Sequence, residues 1–236
     1  EEVNRRIIDH SSDILMPYTE RSRSNLLKEG IEGERVFVTG NPIKEILDHY
    51  QGQIDSSPVM DKYGLSEKKY FLSTLHRAEN VDIEARLAKF VQAFNKLTEE
   101  YDMSLIWSVH PRTKKRLSKS NKHKMNNRIV AIEPLGLFDF VHLEKNAFCV
   151  LSDSGTVQEE CAIFGVPTVT LRDTTERPET LEVGSNFISG CEPESILRGI
   201  KTAVNSETKW VAPREYLVDG VSDTVIKIVL GFWRPL

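Results

Sequence analysis

The sequence predicts an α/β fold, a doubly wound, Rossmann-like parallel sheet with helices on both faces. From residue 70 onward, short and nearly continuous apolar runs alternate with longer amphipathic segments. This is the pattern of parallel strands that are buried on both faces and joined by crossover helices. Charged and polar clusters follow several of the apolar runs, and ligands of such sheets bind at the carboxyl ends of the strands.

The pattern of apolar and amphipathic segments predicts each strand and helix in turn. The predicted strands of the sheet are residues 70–75, 104–109, 128–132, 148–152, 168–171 and 186–189. The helices that accompany them are residues 81–101, 112–118, 137–145, 156–164, 177–183 and 194–205. The earlier residues predict helix 2–10, strand 14–18, helix 21–29, strand 35–39, helix 43–50 and a polar linker to about residue 69. The tail, residues 222–233, predicts an amphipathic helix that either covers its own sheet or crosses to a neighbouring domain.

The amino-acid composition argues against several classes of partner and cofactor. The 236 residues are 39% hydrophobic and 28% charged, with a formal net charge of -4, which is typical of a globular protein. Basic stripes with interleaved aromatic residues are lacking, so we expect no nucleic-acid partner. The sequence has neither an apolar run of about 18 residues nor a signal peptide, so we expect no membrane partner and a cytoplasmic location. The three cysteines lack paired spacing, so they indicate neither a disulfide nor a metal site.

The loop after the fourth predicted strand is the main candidate site. The apolar run 148–151 leads to Ser154 and Gly155, where a helical pattern begins. The first N–H groups of a helix lack intrahelical partners and carry about half a positive charge, so this turn predicts an anion site. Glu160 lies five residues after Gly155 and suits sugar hydroxyls, and residues 172–179 add charges and hydroxyls at the next strand end. Together they indicate a nucleotide-sugar site.

Other loops at the same predicted edge carry further candidates. His76 and Arg77 follow the first strand, and we favour a functional role for them. His110 follows the second strand and either caps a helix or contacts ligand. The loop 133–138 either holds a flat base or is an ordinary strand-to-helix turn. Arg172, with its neighbouring carboxylates, belongs either to a site or to an internal ion-pair network.

Several motifs together resemble the non-hydrolysing UDP-N-acetylglucosamine 2-epimerase family over essentially the whole chain. They are EEVNR at 1–5, TGNP at 39–42, HRAEN at 76–80, SDSGTVQEE at 152–160, GVP at 165–167 and RDTTERPE at 172–179. The resemblance implies two Rossmann-like domains in the GT-B arrangement, with the UDP-sugar in the cleft between them and no cofactor. It also implies a reaction in which UDP is eliminated to give 2-acetamidoglucal and then added back with inverted stereochemistry at C2.

The resemblance assigns roles to matching residues. His76 would bind the diphosphate and assist the leaving group, Ser154 and Gly155 would hold phosphate, and Glu160 would bind the ribose hydroxyls. Arg77 would contact UDP, the loop with Pro134, Leu135 and Phe138 would hold uracil, and Arg172 would face the diphosphate or hexose. Glu1 and Arg5 would act in catalysis beside the reacting sugar. His110 would contact a second, activating UDP-sugar.

The resemblance also predicts a division of the chain. Residues 1–42 would be the last segment of an incomplete N-terminal domain, 43–221 the UDP-binding domain, and 222–236 a helix that crosses back. The family's GTRPE, HGD-like and HVEAG-like segments, which carry the expected proton-transfer groups, are not in this sequence. We therefore expect a fragment that binds UDP weakly and does not epimerise, and a homodimer when full length.

Three alternatives remain at this stage. One is a GT-B glycosyltransferase that shares the UDP pocket. Another is an epimerase for a 6-deoxy UDP-N-acetylhexosamine, since Thr156 and Val157 stand where many family members have Gly-Ile. The last is a UDP-sugar sensor without enzymatic activity.

Overall fold

A computed structural model describes residues 2–118, 124–206 and 209–232. The chain forms two compact units. One combines the two ends of the chain, up to His49 and from Arg214 onward, and the other is Tyr50–Pro213. The domain roles predicted for residues 1–42, 43–221 and 222–236 stay predictions. None of the helices in the described ranges combines the length and apolarity needed to cross a membrane.

The described helices and strands are numbered in chain order. The helices are α1 (Glu2–Ser11), α2 (Glu20–Lys28), α3 (Ile43–His49), α4 (Gln51–Asp55), α5 (Val59–Lys62), α6 (Ala78–Val81), α7 (Glu84–Tyr101), α8 (Pro111–Leu117), α9 (Leu137–Asn146), α10 (Gly155–Phe164), α11 (Pro178–Glu182), α12 (Pro193–Val204) and α13 (Val221–Gly231). The strands are β1 (Tyr70–Leu75), β2 (Ser104–Val109), β3 (Ile129–Ile132), β4 (Cys149–Ser152), β5 (Thr168–Thr170) and β6 (Asn186–Ile188).

The second unit is built on one parallel sheet. Within the described residues its six strands have the order β3-β2-β1-β4-β5-β6, and every neighbouring pair is parallel. The strand order reverses direction between β1 and β4, where Phe71 pairs with Cys149. This is the doubly wound order, so the predicted fold class is confirmed. Ligands of such sheets bind at this switch point, outside the carboxyl ends of the strands.

Helices cover both faces of the sheet, and successive side chains of a strand point to opposite faces. Each strand therefore contributes to two apolar clusters. Phe71 of β1 lies in one apolar cluster with Phe90 of α7 and Ile196 of α12. Its neighbour Leu72 lies in the other cluster with Leu143 of α9, and with residues of α5 and α10. Helices on both faces explain why the strands read as continuous apolar runs rather than as an alternation.

The predicted linker before β1 is wrong in part. It contains α4 and α5, and the side chains of Ile54 and Val59 in these helices are buried. The predicted helix 81–101 is also divided, because α6 ends at Val81 and α7 begins at Glu84. Helices of four or five residues are too short to show a helical period in sequence, which explains both differences.

The first unit lacks the two strands predicted at 14–18 and 35–39. Leu15 and Val36 form a single parallel bridge, in which Leu15 N donates to Arg35 O at 2.8 Å and Phe37 N donates to Leu15 O at 2.9 Å. Leu15 and Val36 share a small buried cluster with Leu26 and Ile31. A strand pair without further neighbours is only marginally stable, so the apolar runs give a bridge and not a sheet.

Residues from both ends of the chain meet within this first unit. Asn41 N donates to Glu215 O at 2.8 Å, and Ser222 N at the start of α13 donates to Glu45 Oε2 at 2.9 Å. Phe37 packs edge-on against Phe232, with ring centroids 5.8 Å apart. These contacts group α13 with the residues before His49.

Gly199 offers a test of the packing of α12 on the sheet. A Cβ at Gly199 would lie 2.6 Å from Cδ1 of Phe187 on β6, so Gly199→Ala should lower the free energy of unfolding by about 1–3 kcal/mol through overpacking. Gly52 of α4 has nothing within 4 Å of the same position, so Gly52→Ala should instead raise it by about 0.5–1 kcal/mol. Urea unfolding of both variants checks the pair. Equal effects of the two substitutions would contradict the described contact.

Candidate functional site

The Asp153 carboxylate lies at the switch point and joins the loops that follow β1 and β4. Its side chain is fully buried. It accepts hydrogen bonds from His76 N at 3.2 Å, from Arg77 N at 3.0 Å and from Asn80 Nδ2 at 3.0 Å. Three N–H donors satisfy the buried charge, which would be costly without partners. The loop after β1 is therefore held in one position beside the start of α10.

Asn80 extends this connection to the end of β5. Its side chain is fully buried, and Nδ2 also donates to Leu171 O at 2.9 Å. Its Oδ1 accepts from Arg86 Nε at 3.3 Å. One amide thus joins the loop after β1 to the loops after β4 and β5, which are the three loops with the strongest sequence motifs.

The His76 side chain stays accessible although its backbone is fixed. About half of the side chain is exposed, and Nδ1 lies 3.2 Å from Asp153 Oδ1. The adjacent Arg77 donates from Nε to Asp153 O at 3.0 Å. A histidine and an arginine thus lie together at the carboxyl edge of the sheet, and their role in binding stays a prediction.

The N-terminus of α10 has the geometry of an anion site. Ser154 is the N-cap residue, and its side chain makes no capping hydrogen bond to the first turn. The Arg177 guanidinium lies over the helix start, since a Cβ at Gly155 would be 3.7 Å from its Cζ. Arg177 forms an ion pair with the buried carboxylate of Glu159. The helix dipole and a guanidinium therefore act on the same point.

Arg172 is buried and makes a bidentate ion pair with Glu176, with N–O distances of 2.5 and 2.7 Å. The Arg172 guanidinium lowers the pKa of Glu176 to about 2. Arg77 Nη2 lies 4.0 Å from the same carboxylate. The ion-pair network that the sequence left open is thus observed, and the Glu176 carboxylate lies within ion-pair distance of two guanidinium groups at the candidate site.

A network of hydrogen bonds through the buried amides of Gln158 and Asn186 joins α10 to β5 and β6. Gln158 Nε2 donates to Ser154 O at 3.0 Å, and Gln158 Oε1 accepts from Thr175 Oγ1 at 2.7 Å and from Asn186 Nδ2 at 3.0 Å. Asn186 Oδ1 in turn accepts from Thr170 Oγ1 at 2.8 Å. Side chains of α10, β5 and β6 therefore fix the first turn of the helix and the loop after β5.

The other predicted residues of this unit occupy different positions around the edge. Glu160 is buried on α10, and burial raises its pKa to about 7. Phe138 is exposed at the start of α9, with its ring centroid 5.3 Å from that of Tyr50. Pro134 is exposed and Leu135 is half-buried in the same loop. His110 is exposed after β2, and its carbonyl accepts from Lys114 N at 3.0 Å.

The two residues predicted near the reacting sugar are not part of this arrangement as described. Glu1 lies outside the described residues. Arg5 belongs to the first unit, where it pairs with Asp9 at 2.5 Å and with Glu29 at 2.6 Å. Their catalytic assignment stays a prediction.

Sequence reasoning gave no role to several residues that organise the site. Asp153 and Asn80 lie within two of the family motifs, and their signal is a polar residue directly after a buried strand or at a helix start. Arg177 lies in the charged segment 172–179 that the sequence marks as part of the candidate site, whereas Gln158 gives no signal by itself, because its partners lie on other elements. The described residues contain no group of three or more His, Cys, Asp or Glu side chains that could hold a metal ion.

A family model described as UDP-N-acetylglucosamine 2-epimerase matches residues 1–230. The chain belongs to this family. The UDP-N-acetylglucosamine 2-epimerase of Methanocaldococcus jannaschii is 44% identical over 219 residues, which are 90% of this chain and 60% of the relative. That of Methanococcus maripaludis is 40% identical over 242 residues, covering 100% of this chain and 65% of the relative.

Solved structures of epimerases share the fold. The crystal structure of the M. jannaschii UDP-GlcNAc 2-epimerase in complex with UDP-GlcNAc and UDP matches with a TM-score of 0.89 at 41% identity, covering 98% of this chain and 65% of that chain. The Rickettsia bellii UDP-N-acetylglucosamine 2-epimerase matches with a TM-score of 0.88 at 35% identity, covering 98% and 62%. The chain thus spans less than two thirds of the length of these epimerases.

Substituting Asp153 tests its central role. Asp153→Asn replaces an acceptor oxygen by an NH₂ group that faces N–H donors, so it should lower the free energy of unfolding by about 2 kcal/mol. Asp173→Asn is the matched control, because Asp173 is mostly exposed and pairs with Arg86. That change should cost less than about 1 kcal/mol. Urea unfolding measures both, and a cost for Asp153→Asn no greater than the control would contradict the assignment.

The Glu176–Arg172 pair predicts a pH dependence of stability. Since the folded-state pKa of Glu176 is about 2 and its ordinary value is 4.5, the pair contributes stability above pH 4.5 that is lost as the pH falls towards 2. Glu176→Gln should cost about 1 kcal/mol at pH 7, reduced by solvent screening, and nothing at pH 2. Thermal unfolding between pH 2 and 7 checks this. Glu194→Gln, at an exposed ion pair with Lys96, is the comparison: Lys96 lowers the pKa of Glu194 as well, so the slope should change in the same direction but less, because an exposed pair is screened by solvent. A constant difference across the pH range would contradict the prediction.

Proposed function

We propose that the carboxyl edge of the second unit binds the UDP part of UDP-N-acetylglucosamine, and that the protein acts as a UDP-N-acetylglucosamine 2-epimerase. The arrangement around Asp153 carries the proposal, because it fixes His76 and Arg77 beside an uncapped helix N-terminus at the switch point of the sheet. Relatives with this function, and a relative structure that contains UDP-GlcNAc and UDP, support it.

The diphosphate suits the cationic part of the edge. The start of α10 supplies free N–H groups and partial positive charge, and Arg177 lies over it. Arg77 and Arg172 both lie near the Glu176 carboxylate. A diphosphate carries more charge than one carboxylate and binds guanidinium groups bidentately. We infer that it competes with Glu176 for these arginines.

The nucleoside suits the neighbouring groups. Glu160 is a buried hydrogen-bond acceptor five residues after Gly155, where α10 begins. A carboxylate can accept hydrogen bonds from two hydroxyl groups. The loop after β3 presents backbone groups, the exposed ring of Phe138 and Leu135. These features support binding of the ribose diol by Glu160 and of uracil by this loop.

The proposed reaction has two balanced steps. A base removes the C2 proton while the C1–O bond breaks, and UDP leaves with the electron pair, which gives 2-acetamidoglucal. A proton then returns to C2 on the other face, and UDP attacks C1. The residues of this edge act on the leaving group, where guanidinium groups, the helix start and His76 stabilise the developing negative charge.

The proton-transfer groups belong to segments that the printed sequence does not contain, as the family resemblance implies. A positioned base and an acid on opposite sides of the ring are required for inversion. We therefore propose that the 236-residue chain alone binds UDP with turnover at background. The hexose, the homodimer and a second UDP-sugar at His110 stay predictions.

Calorimetric titration with UDP tests the proposed site. The chain should bind UDP saturably, and His76→Ala or Glu160→Ala should each weaken binding at least about tenfold, which equals about 1.4 kcal/mol. Glu67→Ala, which alters an exposed residue before the amino end of β1, should bind like the unsubstituted chain. Failure to bind UDP, or unchanged affinity in the first two variants, would overturn the proposal.

The activity of the chain is measured separately. NMR detection of UDP-N-acetylmannosamine formed from UDP-N-acetylglucosamine should show only the background rate. Robust turnover by the 236 residues would refute the proposed need for the other segments. Hexose transfer to an acceptor would instead identify a glycosyltransferase.

A further inference from the structure

The backbone of Arg177 is held on both sides by threonine hydroxyls. Arg177 N donates to Thr175 Oγ1 at 3.0 Å, which closes a short turn of the kind that threonine side chains stabilise. Arg177 O accepts from Thr180 Oγ1 at 2.7 Å and from Thr180 N at 3.1 Å. These bonds fix the point from which the long side chain of Arg177 starts.

The Thr175 hydroxyl also joins this backbone to α10. While it accepts from Arg177 N, it donates to Gln158 Oε1 at 2.7 Å. Gln158 is fully buried, and its Nε2 donates to the carbonyl of Ser154, the N-cap residue of α10, at 3.0 Å. A hydroxyl has one donor hydrogen and two acceptor lone pairs, so both bonds of Thr175 form at once. One hydroxyl and one amide thus connect Arg177 to the start of the helix.

A buried amide on the sheet holds the same groups. Asn186 Nδ2 on β6 donates to Gln158 Oε1 at 3.0 Å and to Thr180 Oγ1 at 3.1 Å. Both hydroxyls that hold the Arg177 backbone are therefore bonded into one network. Side-chain networks of this kind are rigid when their members are satisfied.

The far end of the Arg177 side chain lies over the start of α10. Its Nε forms an ion pair with the buried Glu159 carboxylate, and its Cζ is 3.7 Å from the position of a Cβ at Gly155. Holding an arginine in one conformation costs side-chain entropy. A donor that is ordered before the ligand arrives avoids that cost during binding, and this raises affinity.

We propose that Thr175 is a positioning residue for diphosphate binding: its hydroxyl holds the Arg177 backbone so that the guanidinium lies ready beside the helix start. This inference rests on the proposed function, in which the phosphates of UDP bind at that point. Thr175 acts through Arg177 and needs no contact with the nucleotide.

Three substitutions of Thr175 separate positioning from packing. Thr175→Val keeps the shape of the side chain and removes the hydroxyl, Thr175→Ala removes it without filling the space, and Thr175→Ser retains it. Thr202→Val is the matched control. It makes the same chemical change at an exposed position of α12, where Thr202 Oγ1 donates to Arg198 O at 2.9 Å within the helix.

The first measurement compares UDP with uridine, which lacks the diphosphate. By calorimetry, Thr175→Val and Thr175→Ala should each bind UDP about tenfold more weakly than the unsubstituted chain, as expected for the loss of a hydrogen bond that orders a ligand donor. Thr175→Ser and Thr202→Val should keep the UDP affinity within about twofold. Uridine affinity, followed by NMR titration, should be the same in every variant, because Arg177 is assigned to the phosphates.

The second measurement needs no nucleotide. An ion pair slows the exchange of a guanidinium proton with water, so the Arg177 Nε–H group should give a resolved signal in ¹H–¹⁵N spectra of the ligand-free protein. The signal is assigned by its absence in Arg177→Lys. It should broaden or shift in Thr175→Val and Thr175→Ala, and persist in Thr175→Ser and Thr202→Val. Circular dichroism establishes that each variant is folded.

The outcomes distinguish this proposal from the proposed function. If the unsubstituted chain binds UDP and the Val and Ala variants bind it equally well, the role of Thr175 is refuted alone. An equal loss of UDP and uridine affinity, or a loss in Thr175→Ser as large as in Thr175→Val, would show a packing role and also refute it. An unchanged Arg177 signal in the Val and Ala variants would refute it as well. If that signal changes as expected but the unsubstituted chain does not bind UDP, the proposed function fails, and this use of Thr175 fails with it.

Discussion

The hydrogen bonds to the Asp153 carboxylate determine how the loops at the carboxyl edge of the sheet are arranged. The two strands on either side of the switch point diverge into separate crossovers, so their following loops have no backbone ladder to hold them together. A buried anion that accepts two backbone N–H groups of the loop after β1 replaces that ladder. Because Asp153 directly precedes the N-cap of α10, the position of the helix start and the position of His76 are fixed by one side chain.

The helix α10 links this edge to the interior. Its first turn lies at the carboxyl edge of the sheet, whereas Gln158 and Glu160 are buried polar residues on the same helix. Buried polar groups are stable only when their partners are in place. Gln158 finds them on β6 and on the loop after β5. The helix is thus positioned by polar contacts as well as by apolar packing.

Sequence reasoning predicted the parts of the fold with strong local signals. The bounds of β1 and β2 agree residue for residue with the prediction, because both strands are long, apolar and bordered by polar turns. The sequence did not predict the short helices α4 and α5 or the single Leu15–Val36 bridge, since their form depends on tertiary packing. At the site, local motifs marked Ser154, Gly155 and Arg172. The pairing of Asp153 with residues 76–80 was out of reach, because it joins distant parts of the chain.

The first unit is discontinuous in the chain, and this has a consequence for biosynthesis. Its residues before His49 leave the ribosome before the second unit, but Asn41 and Glu45 bond to residues 215 and 222. The whole second unit must be translated in between, which takes roughly ten seconds or more at ordinary elongation rates. During that interval, Asn41 and Glu45 lack the partners that the tail provides. The second unit is therefore free to fold as an uninterrupted segment before the first unit is completed.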